Sequence, residues 1–141
     1  MSQTAISAFD STIQTTNIWL DEIMEEMSWF DRHRAYHALR AVLHALRDRL
    51  TVNGAAALAA QLPLLVRGIF YEGWHPADKP IKERKKEEFL AHIAEAFNND
   101  PVDPEKVARA VFAVMSKHIT SGEKVHVEQL LPVEIRSLWW W

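Results

Sequence analysis

His33, His37 and His44 fall on one stretch of the chain, and His33 and His37 are four residues apart with Asp31 nearby. On a helix that spacing lets two imidazoles reach one ion, which is half of a metal site. No His-Glu-x-x-His pattern supplies the rest. The three are read as surface histidines beside arginines, and no metal or cofactor is expected. Glu72 and His75, in Tyr71-Glu72-Gly73-Trp74-His75-Pro76, could act as an acid–base pair, but no nucleophile or oxyanion motif accompanies them. Lys79, Lys82, Arg84, Lys85 and Lys86 form a basic cluster interleaved with Glu83, Glu87 and Glu88. Such neighbours on a helix make a solvated face, with nucleic-acid binding as the alternative. No glycine-rich phosphate loop, nucleophile elbow or thiolate site can be read.

Composition narrows the classes further. The 141 residues are 48% hydrophobic and 25% charged, with 16 Lys+Arg against 19 Asp+Glu and a net charge of -3. A disordered chain would be less apolar and more charged. A dedicated nucleic-acid binder would be more basic. The chain has no cysteine, so a disulfide framework is excluded. No apolar run reaches the roughly 18 residues that span a bilayer, and Met1 to Asp10 does not read as a secretory signal. A cytoplasmic single domain over residues 1–141 is expected.

The elements that must position these residues are helices. Phe9, Ile13, Thr16, Leu20, Ile23 and Met27 recur in steps of three and four, as do Tyr36, Leu39, Leu43, Leu46 and Leu50. Arg40, Arg47, Asp48 and Arg49 then lie elsewhere on the second cylinder. Thr51 caps an alanine-rich helix to about Leu62, weakened by Gly54. Pro63 reads as the first residue of a short fourth helix. A Gly- and Pro-rich loop, 72–80, divides the chain. A charged helix is predicted over Ile81–Phe97. Asp103-Pro104 opens another, and Thr120 with Glu123 has capping-box spacing ahead of a helix to Leu131. Val133 to Trp141 ends the chain.

The two halves read alike. With Arg40–Phe70 set over Arg109–Trp139, Arg40, Ala41, Val42, Thr51, Leu62, Pro63 and Arg67 meet Arg109, Ala110, Val111, Thr120, Leu131, Pro132 and Arg136. Trp19, Leu20, Ile23, Met24 and Met27 meet Phe89, Leu90, Ile93, Ala94 and Phe97 at an offset one residue larger. The fold expected is all-α: two tandem four-helix repeats, about 9–71 and 81–139, joined by loop 72–80. They pack as one compact helical domain with pseudo-twofold symmetry, so that each unit covers the other's apolar face. The Arg40/Arg109 and Arg67/Arg136 pairs then have two readings. They bind carboxylates or helix C-terminal carbonyls across the repeat interface, or they form a paired anion site near the axis. Trp74 is read as a plug at the junction, with Gly73 permitting the turn.

The run Tyr36 to Leu50, together with Ala60-Gln61-Leu62-Pro63, Tyr71-Glu72-Gly73-Trp74-His75-Pro76 and Glu88-Phe89-Leu90, resembles the bacterial domain-of-unknown-function family 2267 over about Asn17 to Trp139. The resemblance implies an all-helical fold of small bacterial cytoplasmic proteins, and no activity or catalytic residues. His75 stands where arginine is frequent in that family, and Trp140-Trp141 is not a family feature. Trp139 aligns with Phe70 and reads as core, whereas Trp140 and Trp141 suit an interface. The function expected is a non-catalytic protein-interaction or self-assembly module, a homo-oligomer included. The alternatives are nucleic-acid binding through 79–86 and a small anionic ligand or enzyme site between the repeats.

Overall fold

The computed structural model describes residues 6–139, so Trp140 and Trp141 lie outside the described residues. Eight α-helices and no strand occur among them: α1 Ser7–Met27, α2 Arg32–Arg47, α3 Val52–Ala59, α4 Leu64–Tyr71, α5 Lys86–Ala96, α6 Pro104–His118, α7 Ser121–Leu130 and α8 Val133–Arg136. Short 3-10 turns follow at Pro76–Asp78 and Ser137–Trp139. None of the described helices is long and apolar enough to cross a membrane.

Local chemistry sets most of the boundaries. Asp31 accepts from the His33 and Arg34 amides, and Asp103 from those of Glu105 and Lys106. Thr51 accepts from Gly54 N and Thr120 from Glu123 N. Each thereby satisfies an amide that the first helical turn leaves without a partner. The capping box at Thr120 is completed from elsewhere: its own amide donates to Gln61 Oε1 at 3.1 Å, rather than to Glu123. The C-termini of α1 and α5 turn through left-handed residues, Ser28 (φ 58) and Asn98 (φ 53).

Helices α2 and α6 form the centre. α2 packs on α1, α4, α5 and α6, while α6 packs on α1, α2, α5 and the final 3-10 turn. Their sequences suit that position because alanines complete the apolar faces. Ala35, Ala38, Ala41 and Ala45 of α2 are buried beside Leu39, Val42, Leu43 and Leu46. Small side chains let several helices approach one cylinder, since interaxial distance follows contact-residue size. The largest wholly buried side chains include Trp19, Phe70, Phe89, Phe112 and Trp139. Trp139 stacks on Phe112 with centroids 4.3 Å apart and donates its indole N–H to Ser116 Oγ at 2.7 Å.

Five expectations need correction. The fifth helix starts at Lys86, not Ile81. Residues 79–85 are held in an extended course by tertiary bonds: Ile81 N donates to Asp48 O at 2.9 Å, and Arg49 Nη2 to Glu83 Oε1 at 2.6 Å. Only Lys86 of the basic cluster is therefore helical. Pro63 is an N-cap with ψ 154 rather than the first helical residue. The α3 helix ends at Ala59, and residues 60–62 close it with shorter-range bonds from Gln61 and Leu62. Arg47 and Arg49, set apart from the apolar seam of the second helix, are nonetheless buried. Finally, Phe9 and Ile13 were placed on the core seam of α1 but stay 46% and 37% exposed, because the first turns of α1 extend past the central helices.

Gly54 has a packing role that its low helix propensity hides. A Cβ there would lie 2.5 Å from Leu130 Cδ1 of α7 and 2.9 Å from the capping Thr51 Oγ1. Gly54→Ala normally gains about 1 kcal/mol inside a helix. Here urea unfolding is expected to show a net loss of about 1–2 kcal/mol from overpacking, and a net gain would contradict the tight α3–α7 contact.

Candidate functional site

An apolar groove lies between α1 and α4, with the start of α2 at its edge. One part, of about 500 Å³, is lined by Ile13, Leu20, Tyr36, Leu65 and Ile69, with Arg32 and His33 at its edge. It continues into an apolar part of about 390 Å³ lined by Phe9, Ile13, Leu64, Leu65 and Gly68. Thr12 Oγ1 accepts from Leu65 N at 2.9 Å and fixes the two helices to each other. Leu64 and Leu65 are 55% and 41% exposed, and Ile6 continues the apolar strip beyond Phe9. At the other end of α1, Phe30 is wholly exposed in the turn to α2.

The polar candidates occupy mostly structural positions. Arg40 Nε donates to Glu72 Oε1 at 2.8 Å. This bond and the Arg40 charge hold the Glu72 carboxyl below its usual range, with His44 and Arg47 adding to the effect. Glu72 is thus engaged with Arg40, and His75 lies exposed in the following turn. Arg109 pairs with Glu105 one turn earlier, at 3.1 Å, and Nη1 donates to Ser137 O at 3.4 Å. Glu105 also meets Lys86 Nζ at 3.3 Å, and these bonds lower its pKa. Arg40 thus meets the first residue of the joining loop, and Arg109 a carboxylate on its own helix.

Arg67 and Arg136 do the same job twice. Arg67 donates from Nε to Ala59 O at 2.9 Å and from Nη2 to Leu62 O at 3.0 Å, and Arg136 Nη2 donates to Leu131 O at 3.0 Å. Each guanidinium satisfies carbonyls left open where the preceding helix ends. These carbonyls belong to the arginine's own half, which corrects the reading of a bond across the repeat interface.

Trp74 is half-buried at the core edge, with its ring 5.3 Å from Tyr71 and its indole N–H buried without a hydrogen-bond partner. Gly73 adopts φ +75, which only glycine takes at little cost. In the basic segment, Lys82, Arg84 and Lys85 are exposed, Lys79 is half-buried, and Lys86 is half-buried against Glu105.

Three polar clusters were not foreseen. His44 Nε2 donates to Ile69 O at 2.7 Å, and Arg47 Nη1 donates to Phe70 O and Glu72 O, so α2 anchors the end of α4. Arg49 is buried over the Phe89 ring, bonded to Ala45 O and to Glu83, which also accepts from His92 at 2.9 Å. Burial pushes the Arg49 pKa down against the pull of Glu83. Arg34 makes a two-pronged bond to Asp100 at 2.8 and 3.0 Å and lies 4.3 Å over Trp29. The Arg49 position was legible in principle, because Ala45 and Leu46 sit one turn before it on the buried face. Asp100 is 66 residues from Arg34, and nothing local links them.

The family described as Uncharacterized conserved protein (DUF2267) matches residues 16–138. The chain belongs to that family. No curated protein matches it. The matched range of this DUF2267 protein begins at the first buried residue of α1, Thr16, and leaves out the overhanging turns that carry Phe9 and Ile13.

The α2–α4 joint makes stability depend on pH. Burial lowers the His44 pKa below 6.5. The unfolded chain therefore takes up a proton that the folded chain refuses, and stability falls as pH drops below about 6.5 until the folded pKa is reached. Glu72 adds a second loss at more acid pH, as its depressed folded pKa is crossed. Urea midpoints measured between about pH 7.5 and pH 5.5 should decline in the wild type. His44→Gln, whose amide can still donate to Ile69 O, should decline less. An equal decline would remove His44 as a source.

Proposed function

We propose that this chain is a non-catalytic helical interaction module that assembles with itself through the α1–α4 face. The observation that carries this reading is the run of exposed apolar side chains Phe9, Ile13, Leu64 and Leu65 along one groove. Contiguous apolar surface of this kind marks interaction sites, and a helix laid in a groove is a recurrent way to cover one. A second copy supplies such a helix, α1, whose exposed apolar residues recur at helical spacing. A twofold pairing lets each copy's α1 cover the partner's groove. The pairing of Arg40 with Glu72 and of Arg109 with Glu105 counts against the alternative of an open anion site between the halves.

With this goes the reading of the fold as two tandem four-helix units, about 9–71 and 81–139, related by a pseudo-twofold axis. Exchanging α1 with α5, α2 with α6, α3 with α7 and α4 with α8 and its 3-10 turn leaves the main packing pattern unchanged. α1 packs on α6 as α5 packs on α2, α2 packs on α6, and α3 on α7. Equivalent details support it: the threonine caps, the prolines at ψ 154 and 148, the arginine bonds to Leu62 O and Leu131 O, and the left-handed Ser28 and Asn98.

Light scattering across a range of protein concentrations tests the self-association. The wild type should rise above monomer mass with concentration. Phe9→Asp and Leu64→Asp should hold the chain monomeric while costing little stability, about 0.5 kcal/mol for exposed positions. A wild type that stays monomeric at its highest attainable concentration overturns the proposal.

A further inference from the structure

The two histidines read as surface residues form a geometry that their spacing alone only permits. His33 Nε2 and His37 Nε2 are 3.2 Å apart on the first two turns of α2. With metal–imidazole bonds of roughly 2.0–2.1 Å, that separation corresponds to an N–metal–N angle of about 100°, near the tetrahedral value. The two nitrogens are therefore close enough to bind one ion in common. In the metal-free chain one ring donates to the other, and a bound ion, lying off the line between the two nitrogens, would replace that hydrogen bond.

The surroundings suit a cation better than the sequence implies. Arg32 and Arg34 flank His33, but Arg32 is paired with Asp21 at 2.6 Å and Arg34 with Asp100 at 2.8 Å. His33 and His37 line an open cavity of about 400 Å³ together with Asp31, Phe97, Asn98 and Asp100. The ring of His37 lies 6.4 Å from that of Phe97, and His33 6.2 Å from Tyr36. Aromatic neighbours on both sides limit the rings' freedom. Among the described residues no cluster of three His, Asp or Glu could hold an ion, so the remaining positions fall to water or to an outside ligand.

We propose that His33 and His37 chelate one imidazole-preferring divalent transition ion per chain, with Cu(II) bound more tightly than Ni(II) or Zn(II). The order follows the Irving–Williams series for nitrogen ligands. Mg(II), which demands oxygen ligands, is not held. His33 also borders the α1–α4 groove whereas His37 does not, so His37→Ala tests metal binding and Phe9→Asp tests self-association separately.

Calorimetric titration of the full-length, untagged chain with each metal chloride tests this. One ion per chain is expected for Cu(II), weaker binding for Ni(II) and Zn(II), and none for Mg(II). His33→Ala and His37→Ala should each weaken Cu(II) binding by at least about tenfold, since each leaves one imidazole. His126→Ala should leave it unchanged. The native pair depends on the helix, so Cu(II) should also raise the thermal midpoint of the wild type and of His126→Ala, and of neither His33→Ala nor His37→Ala. Absence of binding to the wild type, or full retention in both single variants, overturns the proposal.

Discussion

Everything in this molecule depends on enclosing one pair of helices. α2 and α6 each have neighbours around most of their circumference, and their backbones are sheltered from water over most of their length. A helix so placed can carry few polar groups, and those it carries need partners. This explains the alanine content of α2 and also the fate of three polar side chains at its C-terminal end and just beyond it. His44, Arg47 and Arg49 each reach main-chain carbonyls, and Arg49 takes a carboxylate as well. The polar side chains of α2 tie α4 and the 79–85 segment to the centre, so the same helix supplies both core and cross-links.

That arrangement explains what the sequence disclosed and what it withheld. The caps Asp31, Thr51, Asp103 and Thr120 were legible because cap and amide lie within three residues. Pro63 and Pro132 were legible as breaks, although each proves to be the N-cap of the helix that follows. The start of α5 was not, because the charges of Ile81–Lys85 suit a helix and only tertiary bonds to Asp48 and Arg49 draw the segment out. The seam of α2 was read from its large residues, which left the alanine side uncounted and set Arg47 and Arg49 apart from the apolar face. Phe9 and Ile13 show the opposite error. Their spacing continues the α1 seam faultlessly, and periodicity cannot tell where the core beneath a helix stops.

The candidate sites divide along the same line. The family resemblance and the helical architecture were both readable from motifs that do structural work: Leu-Pro at a helix junction, and Tyr-Glu-Gly-Trp, where Glu72 meets Arg40 and Gly73 makes the turn. The arginines that looked most functional, because they recur in both halves, recur as supports. Arg67 and Arg136 each bond to a carbonyl just past the end of the preceding helix. Among the described residues, the exposed apolar side chains Phe9 and Ile13 of the first turns of α1 and the histidine pair of α2 carry no comparable supporting bonds to other helices.

The packing of α1 on α6, and of α2 on α5, has a consequence for a chain that is made from one end. When residues up to Tyr71 have left the ribosome, α1, α2 and α4 can meet, but the sides of α1 and α2 that face α6 and α5 have nothing to rest on. Those surfaces, with Trp19 and the alanine face of α2 among them, stay wet until α5 and α6 emerge. Synthesis at about 5–20 residues per second makes that interval a matter of seconds. The nascent half-chain then carries bare the apolar surfaces that the second half comes to cover.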